Sequence, residues 1–247
     1  MSGHSKWSQI KRQKGAADVK KGALFTKLTR EIMLSAREGG GNPEANFRLR
    51  LAIDRARAVN MPHANIDRAI DKATGGGDGA QIESAVYEGY AAGGVSVLVE
   101  AATDNRSRTA SEVRAAFSKN GGKLGEPGSV QWLFEQKGII EIDAAGRSVD
   151  EVQLVAIDAG AEDVETDGSL VTAYTTPSSF EKVRAALGTA SISVASAEIS
   201  MRPTTTVRVD GDQARKVLRL VEELEELDDV QKVHANFDVP DEVLQHA

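Results

Sequence analysis

Nine lysines and arginines fall within the first 37 residues: Lys6, Lys11, Arg12, Lys14, Lys20, Lys21, Lys27, Arg30 and Arg37. Only Asp18 and Glu31 oppose them, so the segment carries a net charge of +7 in a 247-residue chain whose formal net charge is −7. Cations at this density suit one chemistry above others: they neutralise a polyanion and release its counterions. His4 and Trp7 sit among them in Ser2-Gly3-His4-Ser5-Lys6-Trp7. A tryptophan in that setting stacks on a base or lies beside a sugar. It equally docks, with Ile10, on the protein's own helices. The whole segment also suits a solvated tail that keeps the chain soluble. Arg106 and Arg108 follow Thr103-Asp104-Asn105, at the start of an expected helix. Cations in a first turn oppose the helix dipole. A bound phosphate reverses that cost, and a local Asp104–Arg108 pair relieves it differently. The expected nucleic-acid contacts are therefore His4, Lys6, Trp7, Lys11, Arg12, Lys14, Lys20, Lys21, Lys27, Arg30, Arg106 and Arg108.

Other chemistries find little support. The chain has no cysteine, which removes disulfides, thiolate metal sites and Cys nucleophiles and fits a reducing cytoplasm. The four histidines, His4, His63, His234 and His246, form no ligand pair at helical spacing, so no metal is expected. Gly121-Gly122-Lys123-Leu124 lacks the spacing and hydroxyl of a phosphate-binding loop. Gly75 and Gly77 follow a helix rather than a strand, against a dinucleotide fold. No Gly-x-Ser-x-Gly occurs. Asn105 with Arg106 is the one candidate for holding an acyl phosphate. The expectation is a protein without enzymatic activity and without a cofactor. No apolar run approaches the length of a membrane span, and no apolar core follows the basic N-terminus as in a secretory signal. The expected location is cytoplasmic and the expected state monomeric.

The elements that must carry these residues follow from periodicity. Residues 1–15 lack an apolar period and read as a flexible arm. Leu24, Phe25, Leu28, Ile32 and Ala36 recur at helical spacing from about residue 16 to Arg37. Glycines 39–41 end that helix. Asn42 is the expected cap of a second helix, with Pro43 in its first position and its end near Val59. Met61-Pro62 opens a third, and Gly75–Gly79 forms a linker. The period then changes to two. Residues 85–90 and 95–101 read as a hairpin, followed by a helix to Asn120 capped by Asp104 or Thr109. Val130, Trp132 and Phe134 alternate inward on an expected strand. Residues 138–202 read strand, helix, strand, strand, helix, strand, which is a split βαβ unit. Residues 203–238 complete the sheet begun at 85. Glu222, Glu223, Glu225, Glu226, Asp228 and Asp229 form an acidic helix end expected to be solvated.

The expected fold is therefore α+β: an N-terminal three-helix domain followed by two ferredoxin-like α/β domains, the third inserted in the second. The boundaries are 1–79, 80–137 with 203–247, and 138–202. Charge follows this division, at +7 for residues 1–80, −1 for 81–137, −7 for 138–202 and −6 for 203–247.

Gly3-His4-Ser5-Lys6-Trp7, Asn60-Met61-Pro62, Thr103-Asp104-Asn105-Arg106 with Arg108-Thr109, and Gly128-Ser129-Val130 with Trp132 and Phe134-Glu135 together resemble the YebC family. His63 departs from it, standing where the family usually has an acidic or polar residue. The family includes bacterial probable transcriptional regulators and the mitochondrial translational activator of cytochrome c oxidase subunit I. The resemblance implies three domains around a cleft and non-enzymatic control of gene expression through nucleic acid. It leaves two readings. One is a DNA-binding transcriptional regulator. The other is a ribosome-associated factor that binds ribosomal or transfer RNA and relieves stalling at proline-rich stretches. Helices 43–59 and 62–74 allow a helix-turn-helix, but Asn65, Arg68 and Lys72 give a thin base-reading face. The basic arm suits folded RNA as well as DNA.

Overall fold

The computed structural model describes residues 21–75 and 82–240. The expected arm, the start of the first helix, the body of the glycine linker and residues 241–247 lie outside them. The chain divides into two compact units, residues 133–204 and the described residues on either side.

The larger unit opens with three helices, α1 (Lys21–Gly39), α2 (Phe47–Ala58) and α3 (His63–Thr74). Leu28, Ile32, Leu49, Ile53, Ala56, Ile66 and Ala69 face inward and form one apolar cluster, joined by Ile82, just before the first strand, and by Ala102 from the sheet that follows. The cap of α2 is Asn46, not Asn42. The Asn46 side chain accepts from the Leu49 amide at 3.0 Å and donates to the carbonyls of Ser35 at 2.7 Å and Gly40 at 2.8 Å. It therefore closes α1 and opens α2 together. Asn42 only tightens a turn, accepting from the Glu44 amide at 3.0 Å. Gly39 lets this happen: a Cβ there would sit 2.7 Å from the Asn46 amide nitrogen.

The sheet of this unit has the order β3-β1-β2-β9, all neighbours antiparallel. Its strands are β1 (Glu83–Tyr90), β2 (Ser96–Thr103), β3 (Lys123–Leu124) and β9 (Val230–Ala235). β1 and β2 form the expected hairpin, with Glu83 opposite Thr103 and Tyr90 opposite Ser96. Val97 and Val99 point to one face, where Val113 and Phe117 of α4 (Arg106–Lys119) and Val217, Leu220, Val221 and Leu224 of α7 (Gly211–Glu226) cover them. Ala102, on the other face, meets the helical cluster. Two short strands, β8 (Val207–Arg208) and β10 (Phe237–Asp238), pair in parallel.

The unit of residues 133–204 contains β4 (Phe134–Asp143), α5 (Val149–Ala159), β5 (Asp163–Asp167), β6 (Leu170–Thr175), α6 (Phe180–Thr189) and β7 (Val194–Pro203). Its strand order is β5-β6-β4-β7, the arrangement of a ferredoxin-like split βαβ unit. Val152, Ala156, Phe180, Val183 and Leu187 of the helices are buried, as are Ile140, Ile142, Val171 and Ala173 of the strands. The ends of the unit are stitched together. Phe134 pairs with Pro203, and the Leu133 carbonyl accepts from the Thr204 amide at 2.8 Å and hydroxyl at 3.1 Å. No helix among the described residues is long and apolar enough to cross a membrane.

Candidate nucleic-acid interface

Asp229 lies between α7 and β9, and its side chain is only 2% exposed. A carboxylate that deep needs donors on every side. Arg30 of α1 supplies one to Oδ1. Oδ2 accepts from Arg108 at 2.6 Å, Thr109 Oγ1 at 2.6 Å and Thr103 Oγ1 at 3.1 Å. The Ala102 amide is bound to the Asp229 carbonyl at 2.8 Å. Burial alone would raise this carboxyl's pKa. The hydrogen bonds from Thr109 and Arg108, the charge of Arg30 and the Thr103 hydroxyl outweigh it and hold the group below the usual carboxylate range.

This node absorbs several of the expected contact residues. Arg108 bonds Asp104 at 2.8 Å as well as Asp229, and both carboxylates raise its pKa, Asp229 first. Arg106 is 60% exposed. It pairs with Glu83 at 2.9 Å and donates to the Ser84 carbonyl at 2.9 Å. Lys27 donates to the Glu225 carbonyl. The acidic end of α7 is thus not simply a solvated face. It takes cations from α1, and Glu223 accepts from Lys119 at 3.0 Å and Asn120 at 2.9 Å. His4, Lys6, Trp7, Lys11, Arg12, Lys14 and Lys20 lie outside the described residues, and Lys21 begins α1. The α4 cap is Asn105, whose side chain accepts from the Arg108 amide at 3.0 Å. Asp104 is drawn to Arg108 and Thr109 to Asp229, so neither serves as the cap.

The loop before β4 departs from the alternation that the sequence predicts. Residues 131–133 form a 3₁₀ turn instead of continuing a strand. Val130 and Phe134 are buried as expected, but Trp132 is 72% exposed. The cause is Glu88, a buried residue of β1. Its carboxylate accepts from the amides of Gly128 at 2.6 Å, Val130 at 2.6 Å and Gln131 at 2.9 Å, which curls the loop around it. Burial pushes the Glu88 pKa up, but the amides of Val130, Gly128 and Gln131 pull it further down, so it is held low. Alternation along the sequence carries no sign of such a buried acceptor two strands away.

Two family models match the chain. "TACO1/YebC protein N-terminal domain" covers residues 5–76, and "TACO1/YebC second and third domain" covers residues 82–237. A probable transcriptional regulatory protein of Roseiflexus castenholzii is 55% identical over 250 residues, spanning 99% of this chain and 98% of the relative. Proteins of the same description from Rubrobacter xylanophilus and Dictyoglomus turgidum are 55% and 53% identical, each over 99% of this chain and 98% and 99% of their own lengths. A crystal structure of a conserved hypothetical protein from Aquifex aeolicus superposes with a TM-score of 0.89 at 48% identity, covering 97% of this chain and 99% of that one.

Proposed function

The chain belongs to the TACO1/YebC family, and from that premise we propose that it is a nucleic-acid-binding regulator of gene expression, acting on DNA as a transcriptional regulator. It is read as a cytoplasmic monomer without enzymatic activity. The observation that carries this reading is the +7 concentrated in the first 37 residues of an acidic chain. Counterion release depends on the local patch that meets the phosphates, not on the sum over the chain. The relatives' description as probable transcriptional regulatory proteins supports the same conclusion.

The contacts divide into two groups. Lys6, Lys11, Arg12, Lys14, Lys20 and Lys21, with His4 and Trp7, form the primary set. Lys27, Arg30, Arg106 and Arg108 form a second set whose cations also have partners within the protein. Phosphate must compete for them.

The test is charge reversal of Lys11, Arg12 and Lys14 to Glu. DNA binding by mobility shift should be lost at moderate salt, while the unfolding midpoint stays unchanged. Undiminished affinity in the reversed protein overturns the reading. Sedimentation of lysate through sucrose at low and moderate salt separates the partners: persistent migration with ribosomes would replace DNA by RNA.

A further inference from the structure

We propose that Trp132 is a stacking platform for an unpaired base, with Lys123, linked to it through Tyr90 and the Ser129 carbonyl, to meet a phosphate of the same strand. The proposal rests on the nucleic-acid reading above and adds a second contact site, on the sheet-bearing part of the larger unit.

Among the described residues Trp132 is the most exposed of the large apolar side chains, at 72%, where Leu24, Val86, Leu154 and Ile157 range from 39% to 59%. An indole left in water forgoes a large burial gain, yet the surrounding loop holds this one in place. Glu88 fixes residues 128–131 through three amides, and its own carbonyl accepts from the Gly125 amide at 2.8 Å. The Ser129 carbonyl accepts from both the Tyr90 hydroxyl at 3.1 Å and the Trp132 indole N–H at 3.1 Å. That second bond matters chemically. The indole N–H is the ring's single donor, and it is already used. What Trp132 offers a ligand is its π-face, which stacks on any base without reading its edge.

A cation is linked to this platform through Tyr90. Tyr90, bound to the same carbonyl as Trp132, also carries the Lys123 ammonium over its ring, 5.9 Å from the centroid. Lys123 is exposed. An exposed aromatic face joined through Tyr90 to a cation suits a single strand, with a base on the ring and a phosphate of the same strand at the ammonium. In a duplex both faces of each base are occupied, so the ligand chemistry is single-stranded. Glu126, exposed on the same loop, opposes the phosphate.

The chain has two tryptophans, so the Trp7→Phe variant makes Trp132 the sole indole emitter. This protein is titrated at low salt with a single-stranded DNA oligonucleotide, the RNA of the same sequence and the matching duplex. Emission and mobility shift are read in parallel. Both single strands should quench Trp132, or one of them more if the sugar matters; the duplex should bind without quenching. Trp132→Ala should weaken single-strand binding on the order of 5- to 100-fold with an unchanged unfolding midpoint. Glu126→Gln should tighten it. Mobility shift with unchanged emission, together with full affinity in Trp132→Ala, overturns the platform and leaves the proposed function standing. Absence of binding to all three nucleic acids in the unaltered protein, read by mobility shift, overturns both.

Discussion

Arg30 and Asp229 stand 199 positions apart in the chain and meet side chain to side chain. The contact joins α1 to a buried carboxylate just before β9. Asp229 is also the meeting point of Thr103, Arg108 and Thr109. Removing it would leave two guanidinium groups and two hydroxyls facing one another. Asp229→Ala should therefore cost about 2–4 kcal/mol in urea unfolding. A loss below about 0.5 kcal/mol would show that the network relaxes without its centre.

The same carboxylate makes stability depend on acid. Its folded pKa lies below its unfolded value, as do those of Glu88 and Glu100. For Glu100 burial again opposes the shift, and a 3.0 Å bond and the charge of His234 overcome it. The unfolded chain thus binds protons first as pH falls. The stabilisation is fully present above the ordinary carboxylate range and is lost as pH drops through the folded values. Urea midpoints measured from pH 7 to pH 3 should fall mainly below about pH 4, and Asp229→Asn should flatten that fall. Parallel curves for wild type and variant would remove Asp229 from the explanation.

Arg106 and Arg108 distinguish phosphate binding from internal pairing. Arg108 has two carboxylate partners and Arg106 one, so the geometry favours pairing as their main role in the free protein. Changing both to Ala should lower stability by about 1 kcal/mol and, because phosphate competes with their internal partners, make the log–log salt slope of nucleic-acid binding shallower by less than about 1. A log–log slope shallower by about 2, with no loss of stability, would assign them to phosphate instead.

Two asparagines four positions apart offer a contrast. Asn46 binds one amide and two carbonyls and is buried; Asn42 is exposed and binds a single amide. Asn46→Ala should cost about 2 kcal/mol, whereas Asn42→Ala should cost less than about 0.5 kcal/mol. Equal effects would mean that the helix start is indifferent to which residue caps it.

The helices, the hairpin and the split βαβ unit were legible because each repeats a simple apolar period, as Leu28 and Ile32 or Val97 and Val99 do. What escaped were polar groups whose partners are distant. Asn42 and Asn46 are the same residue type in similar surroundings, and only the carbonyls of Ser35 and Gly40 choose between them. Trp132 fits an inward alternation until Glu88, 44 positions earlier, bends the loop. Asp229 resembled its acidic neighbours because nothing local says that α1 and α4 both reach it. Lys27 and Arg30 were grouped with the arm by charge, although their partners tie them to the fold.

The pair of hydrogen bonds from the Thr204 amide and hydroxyl to the Leu133 carbonyl has an evolutionary meaning. It brings the two points where residues 133–204 leave and rejoin the chain to within one strand spacing, about 5 Å. For the surrounding polypeptide, the 72 residues from Leu133 to Thr204 then behave as a tight turn. The entropy of closing a connection depends on how freely its ends can wander, and here the insert itself holds them together. Such a module can be lengthened, recut or exchanged for another with neighbouring termini, while the flanking sequence needs no adjustment. The unit's acidic surface could accordingly diverge under different pressures from those acting on the basic N-terminal segment, and at a different rate.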